Sequence, residues 1–229
     1  MLAIADDVFA VELPIEGYPA YALGIHLMGG VLVDAGVHPF AAQVLGELEG
    51  QDVSAHALTH AHMDHVGASH AVCDALSLPL YAPAGEADNV ERGELYSLVP
   101  DLPQNRHDID AMFGGPHPVA RRLREGDEVG GFVVVDSPGH SPGHISYWRA
   151  SDRVLIVGDA LRNWNPVTNE VALAEPDDIY TVDPPRNRES IRRLAALDPR
   201  VLCFGHGPAL TDPDLLHAFV DRLPVDVGV

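Results

Sequence analysis

The sequence predicts one domain that combines β-strands with α-helices, and three observations lead to this prediction. The chain has 229 residues, which is enough for one domain with a sizeable core. Short apolar runs bounded by glycine and proline recur along it, as in strands, and several are followed by segments with helical periodicity. No linker or change in composition divides the chain, so we expect a single domain over residues 1–229.

The expected elements of the first half begin with an antiparallel meander. It covers residues 8–34 and is broken by glycine turns. Short buried strands follow at 55–58 and 78–82. Helices are expected at 39–48 and 66–76.

The second half again places strands before helices. The expected strands lie at residues 128–135, 145–149, 154–157 and 201–204. A helix at 184–197 has Asp183 as its N-cap and Pro184 in its first position. A closing helix covers residues 212–223.

Residues 85–118 lack a clear strand pattern. A stretch of this length often forms a lid or a wall over a site. Two interpretations stay open for its apolar side chains, which either line a pocket or pack a small surface helix. These side chains are Leu95, Tyr96, Leu98, Leu102, Met112 and Phe113. We expect His107 and His117, in the same stretch, to be solvated rather than to bind metal.

The charge of the chain argues against some classes of partner. The formal net charge is −20, and all 14 basic residues are arginine. Nucleic acids and anionic membranes favour a basic surface, so we predict no binding to either and a small-molecule substrate instead. The acid excess fits adaptation to high salt and equally fits a bacterial codon bias that leaves an acidic surface. No pattern indicates an oligomeric state.

The sequence also predicts the cellular location of the protein and the redox state of its two cysteines. The N-terminal residues lack the basic segment and long apolar core of a signal peptide, and no apolar run approaches the ~18 to 20 residues of a membrane span. We therefore expect a cytoplasmic protein. Cys73 and Cys203 are far apart and not in a CxxC spacing, which predicts two buried reduced thiols.

Titratable side chains are concentrated in residues 59–65. His60, His62, Asp64 and His65 fall within six residues, directly after the strand expected at 55–58. Neutral imidazole and ionised carboxylate bind zinc and related divalent ions near neutral pH. In open α/β folds, ligands collect at the carboxyl ends of strands. The segment therefore predicts a metal site.

The run His60-x-His62-x-Asp64-His65 resembles the signature of the metallo-β-lactamase-fold hydrolases. That family needs three later ligands, each on its own loop. The sequence offers them in order, each directly after a glycine, as His140, Asp159 and His206. The resemblance covers residues 31–207. It implies an α+β fold, the four-layered αβ/βα sandwich of this family, and a small member similar to glyoxalase II or to the lactonases.

The resemblance also implies two divalent metal ions. The ligands would divide into His60, His62 and His140 for one ion, Asp64, His65 and His206 for the other, and Asp159 as the bridge. Two ions about 3.5–4 Å apart share a water whose pKa falls toward neutrality, and the resulting hydroxide is the nucleophile. Asp64 and Asp159 are thus the residues expected to be catalytic together with this hydroxide. Zinc is expected, although iron and manganese accept the same ligands.

Neighbours of the ligands have supporting roles in this interpretation. An acid at the position of Asp34 supports a metal-binding histidine in the family, and the alternative is a cap for the helix at 39–48. Thr59 either hydrogen-bonds a ligating carboxylate or ends its strand. We assign His144 to a buried structural or near-site position. The candidates for substrate contact, with loop packing as the alternative, are Arg162, Asn163 and Trp164.

The predicted function is metal-dependent hydrolysis of a small ester, thioester, lactone or amide. Glutathione-thioester hydrolases of the superfamily carry a C-terminal helical extension with basic contacts, whereas only 22 residues follow Gly207 here. One alternative is a mononuclear iron oxygenase similar to the persulfide dioxygenases, using His60, His140 and Asp159. The other is a metal-binding module without catalysis.

Overall fold

Two β-sheets form the centre of the fold in the computed structural model, which describes residues 1–11, 13 and 16–224. Within this part of the chain the first sheet has seven strands. Their spatial order is β1 (Leu2–Ala5), β2 (Val8–Val11), β3 (Ile25–Met28), β4 (Val31–Val33), β5 (Ala55–Ala57), β6 (Leu80–Pro83) and β7 (Val119–Leu123). Strands β1 to β4 pair antiparallel, and β4 to β7 pair parallel. The predicted meander accounts for β2 to β4, whereas β1 precedes it and was not predicted.

The second sheet is built from later strands. In spatial order these are β8 (Glu128–Val129), β9 (Phe132–Asp136), β10 (Ile145–Arg149), β11 (Val154–Gly158) and β12 (Val201–Phe204). The first four pair antiparallel, and β11 and β12 pair parallel.

Helices follow several of the strands. They are α1 (Ala41–Glu47), α2 (Met63–Val66), α3 (Ser69–Leu76), α4 (Ala87–Arg92), α5 (Pro103–Met112), α6 (Pro184–Ala195) and α7 (Pro213–Val220). Short 3-10 helices cover Ala20–Ala22, His38–Phe40 and Leu95–Leu98. The predicted cap of α6 is confirmed, since the Asp183 side chain accepts a hydrogen bond from the Arg186 backbone N–H at 3.1 Å.

Three apolar cores arrange these elements in four layers. The central core lies between the two sheets and contains Val33 of β4, Phe132 of β9 and Ile156 of β11. A second core joins the outer face of the first sheet to α1 and α3 to α5. The third joins the second sheet to α6 and α7. The order of layers is therefore helix, sheet, sheet, helix, and the predicted α+β four-layered αβ/βα sandwich is confirmed.

The elements differ from the prediction at several places. The helix expected at 66–76 is interrupted at Gly67 and Ala68, which separate α2 from α3. Gly67 is closely packed, since a Cβ there would lie 2.3 Å from the Met63 carbonyl oxygen and 2.5 Å from that of Met112. The strand expected at 128–135 is a hairpin of β8 and β9. Strand β7 was not predicted, because Arg121 and Arg122 interrupt its apolar pattern at the sheet edge.

Both cysteines agree with the expected reduced state. Cys73 and Cys203 are free and buried in this structure. Among the described residues, no helix is both long and apolar enough to cross a membrane. The cytoplasmic location stays a prediction.

Candidate metal centre

The residues predicted to bind metal lie in loops at the carboxyl ends of strands. His60 and His62 follow β5, and α2 then carries Asp64 and His65. The other three residues follow β9, β11 and β12, and are His140, Asp159 and His206. Because these ends lie at one edge of the two sheets, four separate segments of the chain bring their side chains together.

The first group consists of three buried histidines. The ring centroids of His60 and His62 are 4.5 Å apart, as are those of His62 and His140, and those of His60 and His140 are 5.0 Å apart. One nitrogen from each ring lies within 4.8 Å of the others. Three convergent imidazole nitrogens are a donor set suited to zinc.

The second group combines carboxylates with imidazoles. Nε2 of His206 lies 3.1 Å from Oδ2 of Asp64 and 3.2 Å from Oδ2 of Asp159. Nε2 of His65 lies 3.3 Å from Oδ1 of Asp159 and 3.8 Å from Oδ2 of Asp64. These four side chains offer atoms that all lie within 4.8 Å of one another.

Asp159 lies between the two groups. Its Oδ2 is 3.5 Å from Nε2 of His140, a member of the first group, and it also faces His206 of the second. The Asp159 carboxylate leaves no space for a side chain at Gly205, where a Cβ would lie 1.8 Å from Oδ1 of Asp159. A carboxylate in this position can share its oxygens between two cations.

Each of the five imidazoles is held through its other nitrogen. Two of the rings donate to threonine hydroxyls, in the pairs His60 Nδ1–Thr59 Oγ1 (3.0 Å) and His140 Nδ1–Thr181 Oγ1 (3.1 Å). Two donate to backbone carbonyls, in the pairs His62 Nε2–Leu98 O (2.9 Å) and His206 Nδ1–Ala22 O (2.6 Å). The fifth donates to a carboxylate, in the pair His65 Nδ1–Asp34 Oδ2 (2.9 Å). Such partners fix the tautomer and the ring orientation of metal-binding histidines.

The two threonine contacts determine which nitrogen stays unprotonated. The Thr59 hydroxyl donates to Oδ2 of Asp34 at 2.8 Å, and the Thr181 hydroxyl donates to the Asp177 carbonyl at 2.9 Å. Since a hydroxyl has one proton, each can only accept from its histidine. His60 and His140 therefore donate through Nδ1 and present the lone pair of Nε2 to the centre.

Several atoms that face the centre are buried without a hydrogen-bond partner. Within the described part of the chain, this holds for Nε2 of His60, His65 and His140 and for Oδ1 of Asp159. A buried polar atom left unpaired costs about 1–3 kcal/mol. Bound cations would give all four atoms a partner, so the residues present fit a metal centre.

The pKa values of the two groups differ in direction. Burial and the neighbouring imidazoles hold the pKa values of His60 and His140 well below the usual range, so both are neutral donors. Burial opposes the protonation of His206, but Asp159 and Asp64 outweigh it and raise the pKa of His206 to about 10. Burial likewise opposes the ionisation of Asp64, yet His65 and His206 hold its pKa below the usual range. The carboxylates of the second group thus stabilise positive charge on the imidazoles beside them.

Asp34 contacts the centre through His65 and through Thr59. Its carboxylate accepts from Nδ1 of His65, from the Thr59 hydroxyl and from the Thr59 backbone N–H, the last at 2.8 Å. The alternative of a helix cap is wrong, because α1 follows Phe40 and has no side-chain cap. Thr59 was expected to bond a ligating carboxylate or merely to end its strand, and it bonds the supporting carboxylate of Asp34 instead.

His144 lies behind Asp159 rather than in the centre. The Asp159 backbone N–H donates to Nε2 of His144 at 3.0 Å, and Nδ1 of His144 lies 2.8 Å from the Ser137 hydroxyl. Burial lowers the pKa of His144 to about 4, so the ring is neutral and its Nε2 can accept. This position agrees with the buried near-site assignment.

Glu86 is a residue that the sequence analysis missed. Its fully buried carboxylate accepts from the Ala61 backbone N–H at 2.7 Å, from the Gly143 backbone N–H at 2.8 Å and from the Ser141 hydroxyl. Ala61 lies between His60 and His62, and Ser141 follows His140. Glu86 therefore joins the two loops of the first group. In the sequence it resembles an ordinary acidic residue before a helix.

A cavity of about 450 Å³ opens onto the centre. Apolar side chains such as Leu23, Phe40 and Trp164 form its walls, while Asp64 and Asp159 lie at its base. Of the three candidates for substrate contact, Arg162 and Trp164 line the cavity. Asn163 does not line it, because its side chain is buried and donates to the Pro208 carbonyl at 2.9 Å, and its role as a substrate contact stays a prediction.

Residues 85–118 contribute both to the cavity and to ordinary packing. Met112 and Asp108 line the cavity, and the Leu98 carbonyl holds His62. The other apolar side chains divide between the buried Leu95 and Leu98, the partly buried Phe113 and the exposed Tyr96 and Leu102. His107 is exposed, as expected. The expectation that His117 is solvated is wrong, because its side chain is only 14% exposed and contacts His70.

Comparisons with known proteins agree with this arrangement. The sequence profile of the metallo-beta-lactamase superfamily matches residues 20–206. The probable metallo-hydrolase YflN of Bacillus subtilis (strain 168) is 29% identical over 227 residues, covering 90% of this chain and 81% of that protein. A hydroxyacylglutathione hydrolase of Fuscovulum blasticum is 30% identical over 182 residues, and the match spans 76% of this chain and 56% of that enzyme.

Solved structures are similar over most of the chain. The B3 metallo-beta-lactamase BLEG-1 has a TM-score of 0.69 and 26% identity, with 96% of this chain and 100% of that chain covered. TTHA1623 in a di-iron-bound form has a TM-score of 0.63 and 33% identity, with 81% and 85% covered.

Proposed function

This chain belongs to the metallo-β-lactamase superfamily, and we propose that it is a hydrolase that uses two divalent metal ions to cleave a small, uncharged ester, thioester, lactone or amide. The observation that carries the proposal is the pair of donor groups joined by Asp159 beneath an apolar cavity. Both groups have their imidazole nitrogens oriented by outer hydrogen bonds, as metal ligands require.

The proposed roles follow from the position of each side chain. His60, His62 and His140 would hold one ion, Asp64, His65 and His206 the other, and Asp159 would contact both. When bound, the two ions would activate a water for attack and polarise the carbonyl of the substrate. The carboxylates of Asp64 and Asp159 face the cavity from its base and would keep this water oriented toward it.

The walls of the cavity support an uncharged substrate. Arg162 is the sole lysine or arginine among the described residues that line it, and its guanidinium is bound by both oxygens of Asp177 at 2.6 and 2.9 Å. Asp108 adds a further carboxylate to the wall. An anionic group that extends away from the metal ions would therefore meet carboxylates and apolar surface without an unpaired lysine or arginine among the described lining residues, and burying an unpaired charge is unfavourable.

The same observation separates this proposal from glutathione-thioester hydrolysis. The carboxylates of a glutathione conjugate lie away from the scissile bond, and the described residues that line this cavity offer them no unpaired lysine or arginine. The hydroxyacylglutathione hydrolase relative is also matched over only 56% of its length, so part of that enzyme has no counterpart in the alignment. We propose a neutral apolar acyl group in place of the glutathione conjugate.

Zinc is the proposed metal, because a set of three imidazoles is a typical zinc donor set. A similar structure contains two irons, and histidine and carboxylate ligands accept iron and manganese as well. Metal analysis of protein purified without added metal distinguishes the candidates. About two zinc per chain are expected at the candidate metal centre. One iron per chain together with oxygen uptake would favour the oxygenase built on His60, His140 and Asp159.

The substrate proposal is tested with a panel of neutral esters, thioesters, lactones and β-lactams beside a glutathione thioester, each with zinc-, manganese- and iron-reconstituted protein. We expect kcat/KM for the best neutral substrate to exceed that for the glutathione thioester at least about tenfold, the effect of about 1.4 kcal/mol. A preference for the glutathione thioester would overturn the substrate class. Protein that binds two ions but hydrolyses nothing on the panel would be a metal-binding module instead.

A further inference from the structure

A second set of metal-binding side chains lies outside the candidate metal centre. His70 and Asp74 are one turn apart on α3, and the loop between α5 and β7 brings His117 against them. The Nδ1 atoms of the two histidines are 3.3 Å apart, and Nδ1 of His117 is 3.7 Å from Oδ1 of Asp74. One donor atom from each residue lies within 4.8 Å of the others.

These separations match the requirements of a tetrahedral cation. Zinc lies about 2.0–2.1 Å from a histidine nitrogen or a carboxylate oxygen, which places neighbouring donors about 3.4 Å apart in tetrahedral geometry. The measured 3.3 and 3.7 Å are close to that value. In the absence of a metal, the two imidazoles can share a hydrogen bond through their Nδ1 atoms, and Nε2 of His70 lies 3.5 Å from Oδ2 of Asp74. A bound ion would instead take one donor atom from each of the three residues.

The environment of the set suits neutral ligands with access to solvent. The His117 side chain is 14% exposed, while those of His70 and Asp74 are 43% and 63% exposed. Burial lowers the pKa of His117, which favours the unprotonated ring. The open side of the set leaves space for water as a fourth ligand, and none of the three side chains lines the catalytic cavity.

We propose that His70, Asp74 and His117 bind a third divalent transition-metal ion of the zinc class and thereby join α3 to the loop before β7. The site consists of three protein ligands and solvent. It is independent of the proposed hydrolase activity, because its residues belong neither to the candidate metal centre nor to the cavity wall. The two imidazoles come from distant parts of the chain, so the ion acts as a cross-link on the surface.

The experiment compares wild type with His70→Ala, with His117→Ala and with His107→Ala as the control, since His107 is an exposed histidine on α5. Each protein is equilibrated with zinc by dialysis, and bound metal is measured per chain. We expect His107→Ala to bind as much zinc as wild type, and His70→Ala and His117→Ala each to bind one ion less. All four proteins should have equal hydrolase activity.

Cobalt titration gives a second measurement. We expect wild type to show an additional tetrahedral d–d absorption that both His70→Ala and His117→Ala lack. Equal zinc content and equal cobalt spectra in all four proteins would overturn the proposal. Asp159→Asn weakens binding at the candidate metal centre, and this variant should still bind the zinc that depends on His70 and His117. Loss of that zinc from Asp159→Asn would also count against the proposal.

Discussion

The Asp34 carboxylate accepts a hydrogen bond from Nδ1 of His65 at 2.9 Å, and both side chains are only 2% exposed. Burial opposes the protonation of His65, but Asp159, Asp64 and Asp34 outweigh it and raise its pKa well above the usual range. The contact directs Nε2 of His65 toward Asp159. Asp34 thus links the first sheet to the proposed second ion without facing the cavity.

We expect Asp34→Asn to weaken metal binding while the fold is retained. Asp34 has φ +58°, a left-handed conformation that asparagine adopts more readily than most other residues. The amide keeps the shape of the side chain but loses the charge that holds His65. Removing such a partner typically costs about 10- to 100-fold in metal affinity or activity. Metal content after dialysis and kcat/KM check this, and unchanged values in both would show that His65 is positioned without Asp34.

Glu86 is expected to matter for metal binding although it lies outside the cavity. Glu86→Gln replaces one carboxylate oxygen by an NH2 group, which cannot accept from the Ala61 N–H or from the Gly143 N–H and Ser141 hydroxyl. Hydrogen bonds to charged groups contribute about 1.5–3 kcal/mol each. We therefore expect a loss of at least about 2 kcal/mol in unfolding free energy and weaker binding of the ion held by His60, His62 and His140.

The matched control for Glu86→Gln is Glu94→Gln, an exposed residue whose described hydrogen bonds are made by its backbone N–H and carbonyl. Urea unfolding measures stability, and competition with a chromophoric chelator measures zinc affinity. If Glu86→Gln lowered stability but left zinc affinity equal to that of Glu94→Gln, Glu86 would be a folding residue without a role in positioning the ligand loops.

The sequence indicated the ligands more fully than their surroundings. His60, His62 and Asp64 are close together in the chain, and each later ligand follows a glycine, so a pattern of residue types was sufficient to find them. Glu86 has no such pattern. It becomes significant only because folding brings the loop before α4 against two ligand loops, and local sequence does not encode that proximity.

The same limit applies to His117 and to β7. His117 is followed by a proline and stands in a segment rich in glycine, which is typical of a solvated loop. Its burial against His70 depends on how α5 returns the chain to the sheet edge. Strand β7 is held by pairing with β6, so its arginines could not prevent it from forming.

Gly205 is expected to tolerate no side chain. A Cβ there would lie 1.8 Å from Oδ1 of Asp159 and 2.8 Å from the His65 ring, so Gly205→Ala must displace the bridging carboxylate. We expect loss of metal and of most hydrolase activity. Gly46→Ala is the control, because Gly46 lies in α1 with no atom within 4 Å of the added carbon. That change should stabilise the protein by roughly 0.5–1 kcal/mol.

Retained metal stoichiometry in Gly205→Ala would contradict this prediction. It would mean that Asp159 can move without loss of an ion, and hence that it does not hold both. Zinc content and thermal unfolding are measured on Gly205→Ala and Gly46→Ala in parallel, so that a general effect of alanine substitution is separated from the effect on Asp159.

Acid is expected to destabilise the metal-free protein through His56, a buried residue of β5 outside the candidate metal centre. Its Nδ1 donates to the Leu32 carbonyl at 3.1 Å, and its Nε2 lies 2.8 Å from the Ser69 hydroxyl. Burial lowers the pKa of His56 from 6.5 to about 4, although the Leu32 carbonyl and Asp34 oppose the shift. The folded pKa is therefore below the unfolded value. Between pH 6.5 and about 4 the unfolded chain binds a proton that the folded chain does not, so stability falls as the pH falls through this window.

One such proton changes the unfolding free energy by about 1.4 kcal/mol per pH unit, and His56 contributes up to about 3 kcal/mol over the window. We expect His56→Asn to lower stability near pH 7.5 but to reduce the slope of stability against pH between 6.5 and 4 relative to wild type. His107→Gln, at an exposed position, should leave the slope unchanged. Urea unfolding in the presence of EDTA measures the slope on metal-free protein, so that the release of metal in acid does not contribute to it. Parallel slopes for wild type and His56→Asn would show that His56 does not contribute to the sensitivity of the fold to acid.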